Sequence, residues 1–255
     1  MSFSYEPAGE KIMSIKTAIV AGVGPLNGLG AVLSRRAAGE GLHVFVAGRT
    51  REKLEAVVDA IRDGGGKATP VVCDVTQEVD VVSLVRQVEE TGPLDLAIYN
   101  AGNNMIGKLS GMEADYFERC WRVCLFGAFL FAREAADHMS PRGQGTLLFT
   151  GASASMRGRE GFAAFTAAKG GLRNFAQSAA KELGPQGIHV GHVVVDGGID
   201  GEKLRNLAPQ YAAQCAQEGR LIDLEGIADA YLYLHNQKPG AWSFEIDLRT
   251  HAEPW

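Results

Sequence analysis

The chain has 255 residues, a length typical of one large domain or two small ones. Apolar residues make up 46% and charged residues 22% of the chain, so the composition excludes a disordered or a collagen-like protein. The 25 basic and 30 acidic side chains give a formal charge of −5, which leaves no basic excess for binding DNA or RNA.

Short apolar segments and amphipathic helical segments alternate along the chain. The pattern predicts strands at 16–21, 43–47, 70–73, 95–99, 146–150, 189–195 and 243–248. Helices are predicted at 29–40, 51–62, 77–90, 113–139, 161–183, 202–217 and 226–235. Such alternation is typical of βαβ units, so we expect an α/β domain with a doubly wound, parallel, seven-stranded sheet and helices on both faces.

The N-terminal residues, the apolar runs and the cysteine spacing predict the domain boundary, the cellular compartment and the absence of a metal site. Residues 1–13 are polar and are predicted to form a flexible tail, which leaves 14–255 as one domain. No apolar run is long enough for a membrane span and none follows a basic start, so we expect no membrane contact and a cytoplasmic location. The four cysteines are spaced as free thiols, so no metal site is predicted.

A glycine-rich segment lies between the first predicted strand and the first predicted helix. Its glycines are Gly24, Gly28 and Gly30, and Leu29 stands between the last two. Glycines at this position allow the backbone to approach a pyrophosphate, while the helix N-terminus supplies N–H donors. The context of strand and helix therefore predicts a Rossmann fold with a dinucleotide site at these four residues.

The end of the second predicted strand indicates which dinucleotide is preferred. An NAD site usually has a carboxylate about 20 residues after the glycines, but Arg49 and Thr50 stand there instead. The guanidinium of Arg49 could pair with a 2′-phosphate, and the hydroxyl of Thr50 could donate a hydrogen bond to it. The sequence therefore favours NADP(H) over NAD(H). The alternative is that Arg49 is a solvated surface charge.

Several further motifs carry a resemblance to a known family. They are the glycine segment, Gly48-Arg49, Cys73-Asp74-Val75, Tyr99-Asn100-Ala101-Gly102 and the stretch from Gly145 to Val190. With them the chain resembles the short-chain dehydrogenase/reductase family from about residue 15 to at least residue 200. The resemblance implies that Asp74 and Val75 hold the adenine. It also implies that Asn100, Ala101 and Gly102 end the fourth strand beside the cofactor.

The sequence departs from the family pattern in the glycine loop and at the catalytic positions. The loop from Ala21 to Asn27 carries about two extra residues. The resemblance implies a catalytic Tyr-x-x-x-Lys pair assisted by a serine and an asparagine. Lys169 is present, but Phe165 replaces the tyrosine, Ala152 stands at the serine position and Cys124 at the asparagine position.

The resemblance implies a second role for Lys169, which is to hydrogen-bond the ribose of the nicotinamide. A phenylalanine has no exchangeable proton, so another group would have to donate or accept one. Ser153 is the candidate we include in the catalytic site with Lys169. The other candidates for the proton-transferring group are Ser155, Cys124, His192, Asp196, Tyr211 and water.

The resemblance also implies a lid and an assembly. Residues 201–222 form a polar insertion that corresponds to the segment closing over substrate in relatives. The apolar helix at 113–139 and the alanine-rich helix at 161–183 correspond to helices that pair subunits, so we expect a homodimer or a homotetramer.

Three functions remain open from the sequence. The first is an NADP(H)-dependent oxidoreductase that acts on a small carbonyl or alcohol with an altered proton-transfer site. The second is a lyase, isomerase or dehydratase on the same scaffold. The third is a catalytically inactive protein that binds NADP(H) and regulates another process. The fold alone does not decide between them, because one scaffold hosts many functions.

Overall fold

The computed structural model describes residues 15–102 and 104–253, so the predicted tail at 1–13 lies outside the described residues. The strands are β1 (Thr17–Ala21), β2 (His43–Gly48), β3 (Lys67–Val72), β4 (Leu94–Tyr99), β5 (Gly145–Thr150), β6 (Ile188–Val195), β7 (Gly198–Ile199), β8 (Leu221–Ile222) and β9 (Glu245–Leu248). The α-helices are α1 (Leu29–Gly39), α2 (Arg51–Asp63), α3 (Glu78–Thr91), α4 (Ala114–Trp121), α5 (Gly127–Met139), α6 (Ala163–Leu183), α7 (Glu202–Leu207), α8 (Pro209–Gln217) and α9 (Leu224–His235).

Seven strands form one parallel sheet in the order β3-β2-β1-β4-β5-β6-β9. The chain therefore winds outward from β1 in one direction and then, from β4, in the other. This arrangement confirms the predicted doubly wound α/β fold. The short strands β7 and β8 pair separately, beside the predicted lid.

Apolar side chains cover both faces of the sheet. Within β1, Ile19 and Ala21 face α3, α5 and α6, whereas Ala18 and Val20 face α1, α2 and α9. All four side chains are fully buried. In a strand buried on both faces, apolar residues do not alternate with polar ones. This explains why the strands of the sequence are continuous apolar runs.

Three predicted elements differ in detail from the structure. The helix predicted at 113–139 is interrupted by one turn of π-helix, Arg122–Phe126, between α4 and α5. The helix predicted at 202–217 divides into α7 and α8, because Pro209 has no N–H to continue a helix and disfavours helical geometry at Ala208. Strand β3 begins at Lys67 rather than 70, because Lys67 pairs with His43 of β2.

The carboxyl ends of the parallel strands meet at one edge of the sheet. The glycine loop follows β1, Asn100 follows β4 and Gly151 follows β5 at this edge. In open parallel sheets, ligands bind outside this edge where the winding direction reverses. That point lies between β1 and β4 in this chain.

Candidate functional site

The glycine loop is held closely against its neighbouring strands. The N–H groups of Gly22 and Val23 both donate to the carbonyl of Ala47 at 2.9 Å. Gly22 has a φ of +91°, and a Cβ there would lie 2.4 Å from the backbone nitrogen of Ala101. Gly22 was not among the predicted site residues. The sequence feature that could have identified Gly22 is its position directly after a buried strand, where close contact with a neighbouring strand is expected.

The loop ends at a helix N-terminus with room beside it. Gly28 precedes α1, and no side chain caps the first turn of this helix. No atom lies within 4 Å of the place where a side chain on Gly24 would begin. Leu29 is buried in the core, so only its backbone can serve a ligand. Free N–H groups beside open space fit the phosphate groups of a dinucleotide.

Gly30 allows α1 to lie close to the glycine loop. A Cβ on Gly30 would lie 2.9 Å from Cα of Val23 and 3.1 Å from the carbonyl oxygen of Gly22. The missing side chain thus lets α1 pack directly on the loop.

The end of the glycine loop is hydrogen-bonded to α1 and to α7. The carbonyl of Leu26 accepts a hydrogen bond from Nη1 of Arg35 at 3.2 Å. The carbonyl of Asn27 accepts one from the N–H of Glu202, the first residue of α7, at 2.9 Å. The extension therefore has its own hydrogen bonds to the rest of the protein.

The predicted 2′-phosphate residues lie beside the glycine loop. Arg49 and Thr50 are exposed at the end of β2, and Thr50 precedes α2. The preceding residue, Gly48, passes so close to the loop that a Cβ would lie 2.4 Å from the carbonyl oxygen of Val23. Both predicted side chains are thus on the rim of the groove and are free to meet solvent or a ligand.

The predicted adenine residues follow β3. The carboxylate of Asp74 accepts hydrogen bonds from the N–H of Thr76 at 3.0 Å and from its hydroxyl at 2.8 Å. Both bonds use Oδ1 of Asp74. Val75 is buried next to it. A carboxylate that is fixed through one oxygen can accept a hydrogen bond at the other.

Lys169 occupies the centre of the site. Its side chain reaches from α6 to the end of β5, where Nζ donates to the carbonyl of Thr150 at 2.7 Å. Only 4% of the residue is exposed, and burial lowers the pKa of its ammonium group. A Cβ on Gly102 would lie 3.5 Å from Nζ. Gly102 therefore presents no side chain to the ammonium group on that side.

A chain of hydrogen bonds joins the end of β5 to the glycine loop. The hydroxyl of Thr150 donates to Oδ1 of Asn100 at 3.1 Å, and Nδ2 of Asn100 donates to the carbonyl of Gly22 at 3.2 Å. The buried hydroxyl of Tyr231 on α9 completes this chain, 2.6 Å from the hydroxyl of Thr150. Thr150 and Tyr231 were not predicted as site residues, because nothing in the sequence indicates that β5 and α9 meet.

Comparisons with known proteins agree with this arrangement. The family model described as short chain dehydrogenase matches residues 16–212. The chain belongs to the short-chain dehydrogenase family. It is 31% identical over 234 residues to a short-chain reductase of Streptomyces niveus, with 88% of each chain covered.

Solved structures of the family are similar as well. A short-chain dehydrogenase from Rhodopseudomonas palustris shares 33% identity with a TM-score of 0.78 and covers 94% of this chain and 99% of its own. A metagenomic short-chain oxidoreductase, solved in complex with NADP, shares 25% identity with a TM-score of 0.78 and covers 91% of this chain and 96% of its own.

Phe165, which the sequence predicts at the family's tyrosine position, lies on α6. Its ring centroid lies 5.9 Å from Nζ of Lys169, within the range of a cation–π contact. Phe165 also packs against a small buried cluster that contains Met105, Cys120 and Cys124. This side of the dehydrogenase site is therefore apolar.

The segment predicted to hold the family's serine position contains Ala152 followed by two serines. Ala152 precedes a single 3-10 turn, Ser153–Ser155. The buried hydroxyl of Ser155 accepts a hydrogen bond from the N–H of Ala152 at 3.1 Å and thus stabilises the turn. Ser153 is half-buried on the same turn.

Cys124, predicted at the family's asparagine position, lies within the π-helical turn and is fully buried. Its neighbour Cys120 is also buried, and its hydrogen bond with Cys124, together with burial, raises the pKa of the Cys120 thiol. A buried thiol with a raised pKa is a poor nucleophile. Cys120 therefore fits packing better than proton transfer.

Two other candidate proton donors already have partners. Nδ1 of His192 lies 2.9 Å from Oε2 of Glu245. Asp196 is buried and accepts two hydrogen bonds from Arg157 at 2.9 Å, and it also pairs with Arg249 at 3.1 Å. Asp196 thus anchors two arginines rather than meeting a ligand directly.

Within residues 15–102 and 104–253, no helix is both long and apolar enough to cross a membrane. The same residues contain no group of three or more His, Cys, Asp or Glu side chains arranged to hold a metal ion.

Proposed function

We propose that this dehydrogenase is an NADP(H)-dependent oxidoreductase that interconverts a small carbonyl compound and its alcohol. The observation that carries the proposal is the position of Lys169. Its ammonium group is buried, is fixed by Thr150 and lies beside Gly102, which has no side chain. A buried lysine at the carboxyl ends of the strands, the edge where α1 also begins, fits a site for a dinucleotide and a polar substrate atom.

The cofactor would lie along the edge of the sheet between β1 and β4. The backbone of Gly24, Gly28, Leu29 and Gly30 would hold its phosphates, and the remaining contacts would come from Arg49, Thr50, Asp74, Val75, Asn100, Ala101, Gly102 and Lys169. When bound, the nicotinamide supplies or accepts a hydride. Arg49 favours the phosphorylated form because its guanidinium is exposed and is not committed to a carboxylate in the described part of the chain.

Lys169 takes over the proton transfer that Phe165 cannot perform. A substrate oxygen above Gly102 would accept a proton from the ammonium group, and the hydroxyl of Ser153 would hold the same oxygen in place. Burial favours the neutral amine, so the ammonium group is a stronger acid than an exposed lysine. Ser153 and Lys169 are thus the proposed catalytic pair.

We also propose that residues 201–222 form a substrate lid. The segment contains α7 and α8, and it is hydrogen-bonded to the glycine loop through Glu202 and Asn27. A cavity of about 420 Å³ lies beside this contact and is lined by Asn27, Asp200, Glu202, Arg205, Asn206 and Leu224. This cavity gives the segment space in which to move.

An exposed aromatic surface supports a homodimer or homotetramer. Phe117, Trp121, Phe126 and Phe129 run along α4, the π-turn and α5, and we call them the aromatic strip. Trp121 and Phe126 stack at 5.4 Å, while Trp121 is 36% and Phe129 is 39% exposed. Large aromatic side chains in a row are typical of subunit interfaces, so a second copy of this chain is the partner we propose.

One observation favours a second candidate function. Phe165 leaves Lys169 without a hydroxyl neighbour on the apolar side of the site. A protein that binds NADP(H) without turning over a substrate would need Lys169 for the ribose alone. The two candidates differ in turnover and not in binding.

The decisive experiment titrates the purified protein with NADPH and with NADH, followed by nicotinamide fluorescence. We expect tighter binding of NADPH, and we expect Arg49→Ala to weaken NADPH binding about tenfold while NADH binding stays the same. The control is Arg51→Ala, which removes an exposed arginine two residues away that pairs with Glu55. If neither dinucleotide binds, the proposal is wrong. If both bind but no carbonyl is reduced, the second candidate replaces it.

A further inference from the structure

A buried carboxylate lies at the edge of the sheet where the proposed lid begins. Asp196 directly follows β6, and only 1% of the residue is exposed. Its N–H donates to the carbonyl of Leu248, the last residue of β9, at 2.8 Å. The backbone of Asp196 is therefore held by the sheet. A buried charge is costly without partners, so the groups that bind this carboxylate are expected to be held firmly in turn.

Arg157 binds both oxygens of this carboxylate. Its Nη1 donates to Oδ2 of Asp196 and its Nη2 donates to Oδ1, each at 2.9 Å. Two parallel N–H donors of a planar guanidinium match the two oxygens of a carboxylate, which makes the contact directional as well as strong. The side chain of Arg157 is 48% exposed, so small solutes have access to this contact.

The backbone of Arg157 belongs to the turn that carries Ser153. The carbonyl of Ser153 accepts hydrogen bonds from the N–H of Met156 at 3.0 Å and from the N–H of Arg157 at 3.1 Å. Arg157 thus bonds Ser153 through its backbone and Asp196 through its side chain. Because the side-chain contact is bidentate, it restrains the rotation of the turn relative to β6 as well as its distance from β6.

The segment after β9 supplies a second arginine. Nη2 of Arg249 lies 3.1 Å from Oδ2 of Asp196, and Arg249 also pairs with Asp247. The hydrogen bonds from Asp196 raise the pKa of the Arg157 guanidinium, and the charges of Asp247 and Glu253 raise it as well. Acidic groups of its own chain therefore surround Arg157, which favours its place against Asp196 over contact with a ligand.

The base of the proposed lid adjoins the same carboxylate. Gly197 directly follows Asp196, and a Cβ on Gly197 would lie 3.1 Å from Cδ1 of Ile222 at the other end of the lid. Beyond Arg249, the chain passes the end of α8, where a Cβ on Gly219 would lie 3.6 Å from Cε1 of His251. Asp196 thus lies where the turn of Ser153, the base of the lid and the segment after β9 come together.

We propose that Asp196 is a positioning residue, which acts through Arg157 to hold the turn of Ser153 in place beside the base of the lid. This inference rests on the proposed oxidoreductase function, in which the hydroxyl of Ser153 holds the substrate oxygen. An orienting hydroxyl needs a fixed position, because a displacement of about 1 Å can slow a reaction about 100-fold. Asp196 and Arg157 act through Ser153, so neither is a catalytic residue.

The first test needs no cofactor and no substrate. Amide hydrogen exchange, followed by NMR, reports whether the N–H groups of residues 156 and 157 stay bonded to the carbonyl of Ser153. We expect both amides to exchange about tenfold faster in Arg157→Ala, because the turn loses its contact with Asp196. Millimolar guanidinium chloride should restore slow exchange, since the free cation can occupy the place of the missing side chain, whereas sodium chloride at the same concentration should not.

The control for this measurement is Arg142→Ala. Arg142 also donates two hydrogen bonds to one carboxylate, that of Glu89, at 2.7 and 2.9 Å, but it precedes β5 at the opposite edge of the sheet. Its loss should leave the exchange of residues 156 and 157 unchanged. Unchanged exchange in Arg157→Ala, an equal acceleration in Arg142→Ala, or a loosened turn that guanidinium does not restore would overturn the proposal.

The second test measures carbonyl reduction with NADPH. We expect Arg157→Ala to lower kcat about tenfold while the Kd for NADPH stays unchanged, because the turn meets the substrate and not the dinucleotide. Guanidinium chloride should restore part of the rate in this variant, and Arg142→Ala should keep the kcat of the wild type. A kcat equal to that of the wild type, or a loss matched by weaker NADPH binding, contradicts the proposal.

The two tests separate this inference from the function on which it rests. If the wild type reduces no carbonyl compound, the proposed oxidoreductase function fails. The exchange measurement still decides in that case whether Asp196 holds the turn of Ser153.

Discussion

At the scale of single residues, the site is defined by what surrounds Lys169. The ammonium group is fixed by the carbonyl of Thr150, and Gly102 beside it has no side chain. Phe165 approaches it with a ring and no hydroxyl. The chain therefore places a buried cation, which would lower the pKa of a neighbouring phenol, beside a ring that has no hydroxyl.

Restoring the phenol is the direct test of that arrangement. We expect Phe165→Tyr to raise kcat for carbonyl reduction by about 100-fold, because the new hydroxyl lies next to a buried cation that stabilises the phenolate. The measurement is NADPH oxidation across a panel of small ketones. Phe162→Tyr adds a hydroxyl just before α6 and should change little. Equal rates in the two variants would mean that substrate does not bind above Lys169.

His192 connects a single residue to the stability of the protein. Burial lowers its pKa to about 4 in the folded chain, from an ordinary value of 6.5. The unfolded chain therefore binds an additional proton between pH 6.5 and pH 4, and the free energy of unfolding falls as the pH decreases through this window. The full contribution is about 3 kcal/mol at pH 4.

Urea unfolding at pH 7 and at pH 5 measures this effect. The pKa values of His189 and His235 are also lowered by burial, so the wild type should lose stability on acidification from several groups. In His192→Gln the loss between pH 7 and pH 5 should be smaller. An equal loss in wild type and variant would show that His192 is not protonated on unfolding in this range.

At the scale of elements, the π-helical turn between α4 and α5 is stabilised from the sheet. The hydroxyl of Tyr99, at the end of β4, donates to the carbonyl of Val123 within this turn at 2.6 Å. A Cβ on Gly127 would lie 2.5 Å from the same hydroxyl. The turn and the glycine after it thus let the long helix bend around a buried phenol and bring Cys124 into the apolar cluster.

We expect Tyr99→Phe to lower the free energy of unfolding by about 1–3 kcal/mol, because the carbonyl of Val123 loses its partner in a buried place. Urea unfolding of the two proteins at pH 7 measures the difference. Tyr233→Phe removes the hydroxyl of an exposed tyrosine on α9 and should change stability by less than about 0.5 kcal/mol. If both variants are as stable as the wild type, the hydrogen bond does not hold the turn.

The extension of the glycine loop belongs to the same scale. A loop that only bound phosphate would need no contact with the segment after β6. Here Asn27 accepts from the first residue of α7, so the loop and the proposed lid share a hydrogen bond. Closure of the lid is therefore expected to depend on the conformation of the dinucleotide loop.

At the scale of the whole molecule, the aromatic strip is the surface that a monomer does not explain. Burying it against a second copy would remove several large aromatic side chains from water, each with a large apolar area. Arg122 and Arg133 lie over the rings of Phe126 and Phe129 and would remain at the rim.

We expect light scattering at micromolar concentration to give the mass of a dimer or a tetramer, and we expect Trp121→Glu to give that of a smaller species. A charge buried in an apolar interface is costly, which is the reason for the dissociation. Val79→Glu introduces the same charge at an exposed apolar position of α3 and should leave the mass unchanged. A monomeric wild type would refute the predicted assembly.

The sequence by itself determined the class of fold and the edge of the sheet at which the glycine loop lies. Apolar runs with no polar alternation predicted strands buried on both faces, and the parallel doubly wound sheet confirms this. The position of the glycine segment between a strand and a helix was also sufficient to locate free N–H groups, because this local order alone puts the start of a helix at the edge of the sheet. Predicted element boundaries were wrong where pairing with a distant segment sets them. Strand β3 is an example, because it begins at the residue that pairs with the first residue of β2.

Only the tertiary structure decided which side chains meet. Thr150, Tyr231 and Glu245 lie far from Lys169 and His192 in sequence, and no periodicity brings them together. Nε2 of His192 has no hydrogen-bonding partner in the described chain, and this could not be predicted either, because the place of the ring depends on a glycine that follows β5 and on a carboxylate in β9. Local order in the sequence fixes secondary structure, whereas burial, hydrogen-bond partners and pKa values arise from contacts between distant segments.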